Sequence, residues 1–220
     1  MRAAVVTFPG SNCDQDAVHV LRNLLAVPTD TVWHKSERLP EGVELVVLPG
    51  GFSYGDALRS GALARFSPVM GAVRAFAERG GRVLGICNGF QVLLEAGLLP
   101  GAMLQNHTQT FVCRVVRLEV CRADTPFTRN LGAGRQIRLP VAHHEGRYHL
   151  DPADLEALEA RGGVAFRYVD DPNGSVGRVA GVVNAEGNVL GLMPHPERAA
   201  EAVLGGEDGL ALFRSVVEAT

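Results

Sequence analysis

Residues Val83-Leu84-Gly85-Ile86-Cys87-Asn88-Gly89-Phe90-Gln91 read as an apolar strand that stops at a cysteine flanked by glycines and turns directly into a helix. Such a turn lifts the Cys87 side chain out of the sheet, giving a nucleophile elbow with sulfur in place of oxygen. Gly85 and Gly89 remove the Cβ atoms that would crowd it. The helix starting near Asn88 points its N-terminus, and the partial positive charge there, at the sulfur, which favours thiolate. Taken alone, the same pattern also fits a buried structural cysteine at a strand end.

The rest of the first hundred residues alternates strand and helix. Ala3 to Thr7 is a short apolar run ending at Pro9-Gly10. Asp14 to Leu25 carries apolar residues at helical spacing (Ala17, Val20, Leu21, Leu24), with Ser11 or Asn12 placed to cap it. Thr31 to Trp33 and Val43 to Leu48 read as strands, the second broken by Pro49-Gly50-Gly51. Helical stretches are predicted near Leu58 to Phe66 and Val69 to Arg79, then a strand at Arg82 to Ile86 and a helix at Phe90 to Ala96. The second half is richer in β pattern: Thr110 to Val120, Gln136 to Val141, Val164 to Val169, and a hairpin of Val179 to Val183 with Val189 to Met193 across a five-residue connection. A final helix covers about Gly209 to Ala219. Strands interleaved with helices predict an α/β fold over residues 1–220 as one domain: a mixed, mostly parallel central sheet flanked by helices on both faces. Ligands of such sheets sit at the carboxyl ends of strands, where Gly50-Gly51 and Cys87 both fall.

Composition narrows the chemistry. With 220 residues, 46% of them hydrophobic, a large core is available. The net charge of −3 is spread without a basic run, so no nucleic-acid footprint is expected. Lys35 is the only lysine and sits in a polar connector, which makes Schiff-base chemistry a poor candidate. Four cysteines (Cys13, Cys87, Cys113, Cys121) form neither C-x-x-C nor zinc spacing with histidine. No metal site and no cofactor are expected in this chain. The cysteine usage fits a reducing compartment. The N-terminus lacks a long apolar region, and no stretch approaches the roughly 20 residues that span a bilayer. The expectation is a cytoplasmic protein without membrane contact.

A cysteine nucleophile needs a base, an orienter for that base and an oxyanion hole. The last strand runs into Pro194-His195-Pro196-Glu197-Arg198, where two prolines exclude a regular helix. In an extended segment i and i+2 point the same way, so Glu197 can hold one ring nitrogen of His195 and leave the other for sulfur. A rigid loop with a surface histidine and acid is the plainer alternative. His143 and His144 follow another strand, which carries Pro140 near its end, and His143 suits a substrate-holding loop better than base catalysis. Gly50 and Gly51 leave backbone N–H groups free for an oxyanion, and the N–H of Asn88 is the second donor expected at an elbow. Gln91, one helical turn past Cys87, is placed to reach back and read a bound polar group.

These pieces resemble the class I (triad) glutamine amidotransferases. The resemblance rests on Phe8-Pro9-Gly10-Ser11-Asn12-Cys13-Asp14, Leu48-Pro49-Gly50-Gly51-Phe52-Ser53-Tyr54-Gly55-Asp56, Arg59-Ser60-Gly61-Ala62, Gly85 to Gln91, Asn173-Gly174-Ser175 and Pro194 to Arg198. Within the family the closer match is to glutaminase subunits that serve purine synthesis. It implies that Cys87 attacks the side-chain amide of L-glutamine, that Gly51 and Asn88 hold the oxyanion, and that His195, oriented by Glu197, moves the proton. It implies further that ammonia passes to a separate large synthetase subunit, which uses ATP and Mg²⁺, and that a small third subunit bridges the two. Phe52 to Asp56 and Arg59 would then face the synthetase, as would Asn12 to Asp14 unless they serve only to cap a helix. One departure stands out: the family has Ala-His-Gly-Glu-Gly where this chain has Ala142-His143-His144-Glu145-Gly146. Two other readings compete, a Cys-His hydrolase or peptidase on a related fold and a non-catalytic binding subunit. Gln91 and the late His195-Pro196-Glu197 speak against the first, and the intact Cys87, His195 and Glu197 against the second.

Overall fold

A computed structural model describes residues 1–219. In chain order the elements are β1 (Ala3–Thr7), α1 (Asp14–His19, continued by a wider turn over Val20–Leu24), β2 (Thr29–Trp33), β3 (Leu45–Leu48), α2 (Val69–Glu78), β4 (Arg82–Ile86) and α3 (Asn88–Glu95). There follow β5 (Ala102–Leu104), β6 (Val112–Val120), β7 (Gln136–His143), β8 (Arg147–His149), α4 (Pro152–Ala160), β9 (Val164–Tyr168), β10 (Val179–Val183), β11 (Val189–Leu192) and α5 (Asp208–Val217).

Nine strands form one sheet in the order β2-β1-β3-β4-β11-β10-β9-β6-β7, and β5 pairs with β8 in a separate ribbon. From β2 to β11 every neighbour is parallel, and beyond β11 every neighbour is antiparallel. Only β10 and β6 therefore run against the common direction. The parallel half is built from short aliphatic runs buried on both faces: Leu45 to Leu48, Val83, Leu84, Ile86 and Leu190 are all fully enclosed. Chain progress from β1 to β2 and from β3 to β4 goes in opposite directions across the sheet. Right-handed crossovers then put α1 and α2 on opposite faces. α5 packs beside the continuation of α1, while α3 lies with α2, whose Arg74 donates to the Ala96 carbonyl at the end of α3. Helix α2 buries Val69, Met70, Val73, Phe76 and Ala77, a helical stripe facing the sheet.

The strand order reverses at β1 and β3, the position where open α/β sheets hold ligands. The loops leaving these two strands meet there. Phe52 N donates to Gly10 O (2.9 Å), and Asn12 N and Cys13 N both donate to Gly50 O (3.4 and 3.3 Å). Next along the sheet, β4 ends at Cys87 and β11 runs into His195.

Three expectations change. Leu58 to Phe66 is no helix but a series of turns ending in a 3₁₀ turn at Ala64–Phe66. The Ser60 amide is taken by the Glu145 carboxylate (3.1 Å), and Gly61 lies so close to α3 that a Cβ would stand 2.8 Å from Gln91 backbone. Neither Ser11 nor Asn12 caps α1. The cap residue is Cys13, without a side-chain bond, and Ser11 Oγ instead accepts from Phe8 N (3.0 Å). Helix α4 and the β5/β8 ribbon were not anticipated. Among the described residues no helix is long and apolar enough to cross a membrane.

Candidate active site

Cys87 has φ 48° and ψ −104°, a backbone conformation that costs a non-glycine residue of order 1–3 kcal/mol. The surroundings impose it. Cys87 N donates to Leu192 O (2.8 Å), Gln91 N donates to Cys87 O (3.1 Å), and α3 starts at once. Gly89 lies against β3 so tightly that a Cβ there would be 1.9 Å from Leu48 O, and one on Gly85 would be 2.7 Å from Gly89 O. The sulfur is 5% exposed with its residue and lies 3.9 Å from the Ala142 carbonyl oxygen.

His195 and Glu197 are each 2% exposed. Proline on both sides of His195 keeps the segment from continuing as a helix, and His195 N is anchored to Pro140 O (2.8 Å). Nδ1 and Glu197 Oε1 are 2.5 Å apart, which leaves Nε2 as the ring nitrogen open to sulfur. Among the described residues Nε2 and Glu197 Oε2 have no hydrogen-bond partner. Burial opposes a charged ring, yet Glu197, followed by Cys87 and then Cys13, outweighs it and holds His195 well above the usual histidine range. The imidazole is thus built to accept a proton and to keep it while a negative partner is near.

The amides of Gly51 and Asn88 donate no hydrogen bond among the described residues, so both are available to an oxyanion. Gly50 must be glycine, because a Cβ would stand 2.7 Å from His195 Cε1. Gly51 adopts φ 149° with Gly10 O 2.7 Å from its Cβ position. Gln91 is engaged at both ends of its amide: Nε2 donates to Glu145 O (2.6 Å) and Oε1 accepts from Asn88 Nδ2 (2.9 Å). It ties α3 to the segment 142–146 that passes over the elbow.

His143 lies at the end of β7 beside that segment and is fully enclosed. Asn106 Nδ2 donates to His143 O, which turns Asn106 Oδ1 toward His143 Nδ1 (3.0 Å) and assigns the ring proton to Nδ1. Burial, with the charge of His195 adding to it, lowers His143 to about 4. It is neutral at ordinary pH, and among the described residues no acid bonds its ring. Its neighbour His144 turns outward to Gln109 O (3.2 Å) and keeps a negative φ, so it needs none of the freedom of the family glycine. The low value carries a linkage prediction. Between about pH 6.5 and about pH 4 the unfolded chain binds a proton at His143 that the native chain refuses, so stability falls on acidification by about 3 kcal/mol from this group. Urea unfolding across that window should show a shallower pH slope in His143→Gln, and an unchanged slope would refute the buried neutral imidazole.

One site residue escaped the sequence reading. Cys13, read as cap or partner face, is buried with its sulfur, a His195 nitrogen and a Glu197 oxygen all within 4.8 Å of one another. No other group among the described residues is compact enough to grip a metal ion, and here the 2.5 Å Nδ1–Oε1 contact already occupies two of the three donors.

Residues 1–206 match the family model of the CobB/CobQ-like glutamine amidotransferase domain. The phosphoribosylformylglycinamidine synthase subunit PurQ of Synechococcus elongatus is 57% identical over 218 residues, covering 99% of this chain and 98% of that one. A chain in the structure of PurLQS from Thermotoga maritima superposes with a TM-score of 0.90 at 48% identity, covering 99% of this chain and 97% of that one. A glutamine amidotransferase from the same organism, 17% identical, shares the fold with a TM-score of 0.67 over 99% of this chain and 96% of that one. A strand order that gathers Cys87, His195 and two free amides at one rim therefore meets relatives over nearly its whole length, and the chain belongs to the glutamine amidotransferase family, in the branch formed by the PurQ subunits of phosphoribosylformylglycinamidine synthase.

Proposed function

We propose that the chain is the glutaminase of a phosphoribosylformylglycinamidine synthase and that Cys87, His195 and Glu197 perform the hydrolysis. The observation that carries this reading is the 2.5 Å His195–Glu197 pair, buried and open at Nε2, at the exit of β11, beside the strained Cys87 elbow that ends the neighbouring strand β4. His195 takes the Cys87 proton as sulfur attacks the side-chain carbonyl of L-glutamine. The oxyanion is received by the amides of Gly51 and Asn88, each worth about 2.7–4 kcal/mol in the transition state. The tetrahedral intermediate collapses as His195 returns the proton to the leaving ammonia. Water, deprotonated by His195, then cleaves the thioester and releases glutamate. Glu197 holds the ring's tautomer and stabilises imidazolium throughout.

Ammonia is consumed on a large synthetase subunit, where ATP and Mg²⁺ activate formylglycinamide ribonucleotide, and a small subunit bridges the assembly. Phe52 (42% exposed), next to Gly51 in the chain, and Leu58 (88%) leave apolar side chains exposed on the segment that follows the oxyanion glycines and suit the synthetase contact. Coupling follows from this adjacency: a partner seated on the loop acts on the oxyanion donors. Glutamine hydrolysis by the chain alone should rise more than about tenfold when the synthetase subunits are added, the usual size of a two-site coupling. Full turnover by the lone chain would remove the coupling.

A further inference from the structure

The site contains a second thiol that the reaction above does not use. Cys13 is 2% exposed and stands between the oxyanion loop and the base. A Cβ on Gly50 would be 3.1 Å from Cys13 Sγ and 2.7 Å from His195 Cε1, so these three groups pack as one joint. The joint is tied on its loop side, because the amide of Cys13 donates to the carbonyl of Gly50 (3.3 Å). On its other side the sulfur keeps within 4.8 Å of both the His195 ring and the Glu197 carboxylate. The thiol proton is directed to Asn12 Oδ1 (3.1 Å), which turns the sulfur's lone pairs away from that acceptor. Burial pushes the thiol up, and it stays uncharged beside Glu197.

We propose that Cys13 is a positioning residue: an uncharged, polarizable wedge that fixes the plane of the His195 ring against Glu197 and makes the setting of the Gly50-Gly51 loop felt at the base. Sulfur suits the place. It fills the joint without competing for the carboxylate as a hydroxyl would, and it keeps water off the imidazole–carboxylate contact, whose strength depends on a dry surrounding. The loop and the base then move as one unit, so a partner that shifts the loop shifts the proton acceptor with it.

The inference rests on the reading of Cys87 and His195 as nucleophile and base, and the test keeps the two apart. Cys13→Ala and Cys13→Ser are assayed in the full chain assembled with its synthetase. Both should lower kcat for glutamine roughly 10- to 100-fold, as a misplaced reacting group does, with KM held within about threefold. The limb of the kcat/KM pH profile that reports His195 should move, and ¹⁵N resonances of the ring should titrate at a displaced pH. A glutamine-analogue electrophile should still label Cys87 in both variants, only more slowly. Unchanged kcat and an unmoved pH profile at a reduced thermal midpoint make Cys13 a mere filler and overturn the proposal. Labelling that moves from Cys87 to Cys13 in the unmodified chain overturns the nucleophile assignment itself.

Discussion

Cys87→Ala should abolish glutamine-dependent synthesis by the assembled complex and leave synthesis from added ammonia intact. Alanine removes the sulfur proposed to form the thioester, and removal of a nucleophile from a coupled base and oxyanion site costs about 10⁶-fold in kcat in the well-studied hydrolase template. The variant should still fold. The conformation at residue 87 is imposed by the packing of Gly85 and Gly89 against β3 and α3, and among the described residues the sulfur's hydrogen bond is the long 3.9 Å contact to Ala142 O. A loss confined to glutamine therefore reports chemistry. Loss of both activities would point to a collapsed subunit contact, and retention of glutamine use would assign the attack to another atom. Parallel assays with glutamine and with an ammonium salt, on one preparation, separate these outcomes.

Glu197→Gln should carry the next largest effect. The substitution keeps the shape and replaces a carboxylate 2.5 Å from His195 Nδ1 by an amide. The ring then lacks the charge that offsets its burial, and its tautomer is no longer fixed. A kcat loss of about 10²–10⁴ with little change in KM is the outcome expected of the proposed orienting role, because the carboxylate is buried against His195. An effect on KM alone would count against the orienting role. The substitution has a second signature. His195 is raised in the native chain, so the pair's contribution to stability is full below the unfolded histidine value near 6.5 and fades as pH rises through the raised native value. Glu197→Gln should lose that alkaline decline.

The elbow, the paired loop glycines and the proline-flanked histidine were legible because each is a local device: a residue type and a spacing that dictate backbone geometry over a few positions. The parallel half was legible for the same reason, its aliphatic runs being interrupted by helical spacing. What escaped depends on distant parts of the chain. Leu58 to Phe66 carries an apolar pattern, but its amide at Ser60 is claimed by Glu145, 85 residues on. Helix α4 buries only Leu158, so the stripe that announces other helices is missing, although Asp151-Pro152 marks its start. Gln91 looks free on a helical wheel, yet its amide is spoken for by Asn88 and by the carbonyl of Glu145. Cys13 enters the site through the crossing of the β1 and β3 loops, which no window around residue 13 contains.

The reaction described depends on one sulfur being the group that glutamine acylates. Exposure of the intact complex to a glutamine-analogue electrophile, followed by peptide mapping, reads this without intermediaries. A single adduct per chain on Cys87, blocked by excess glutamine, is the expected result. An adduct on Cys13, Cys113 or Cys121 with Cys87 unmodified, or labelling that glutamine does not slow, would contradict it.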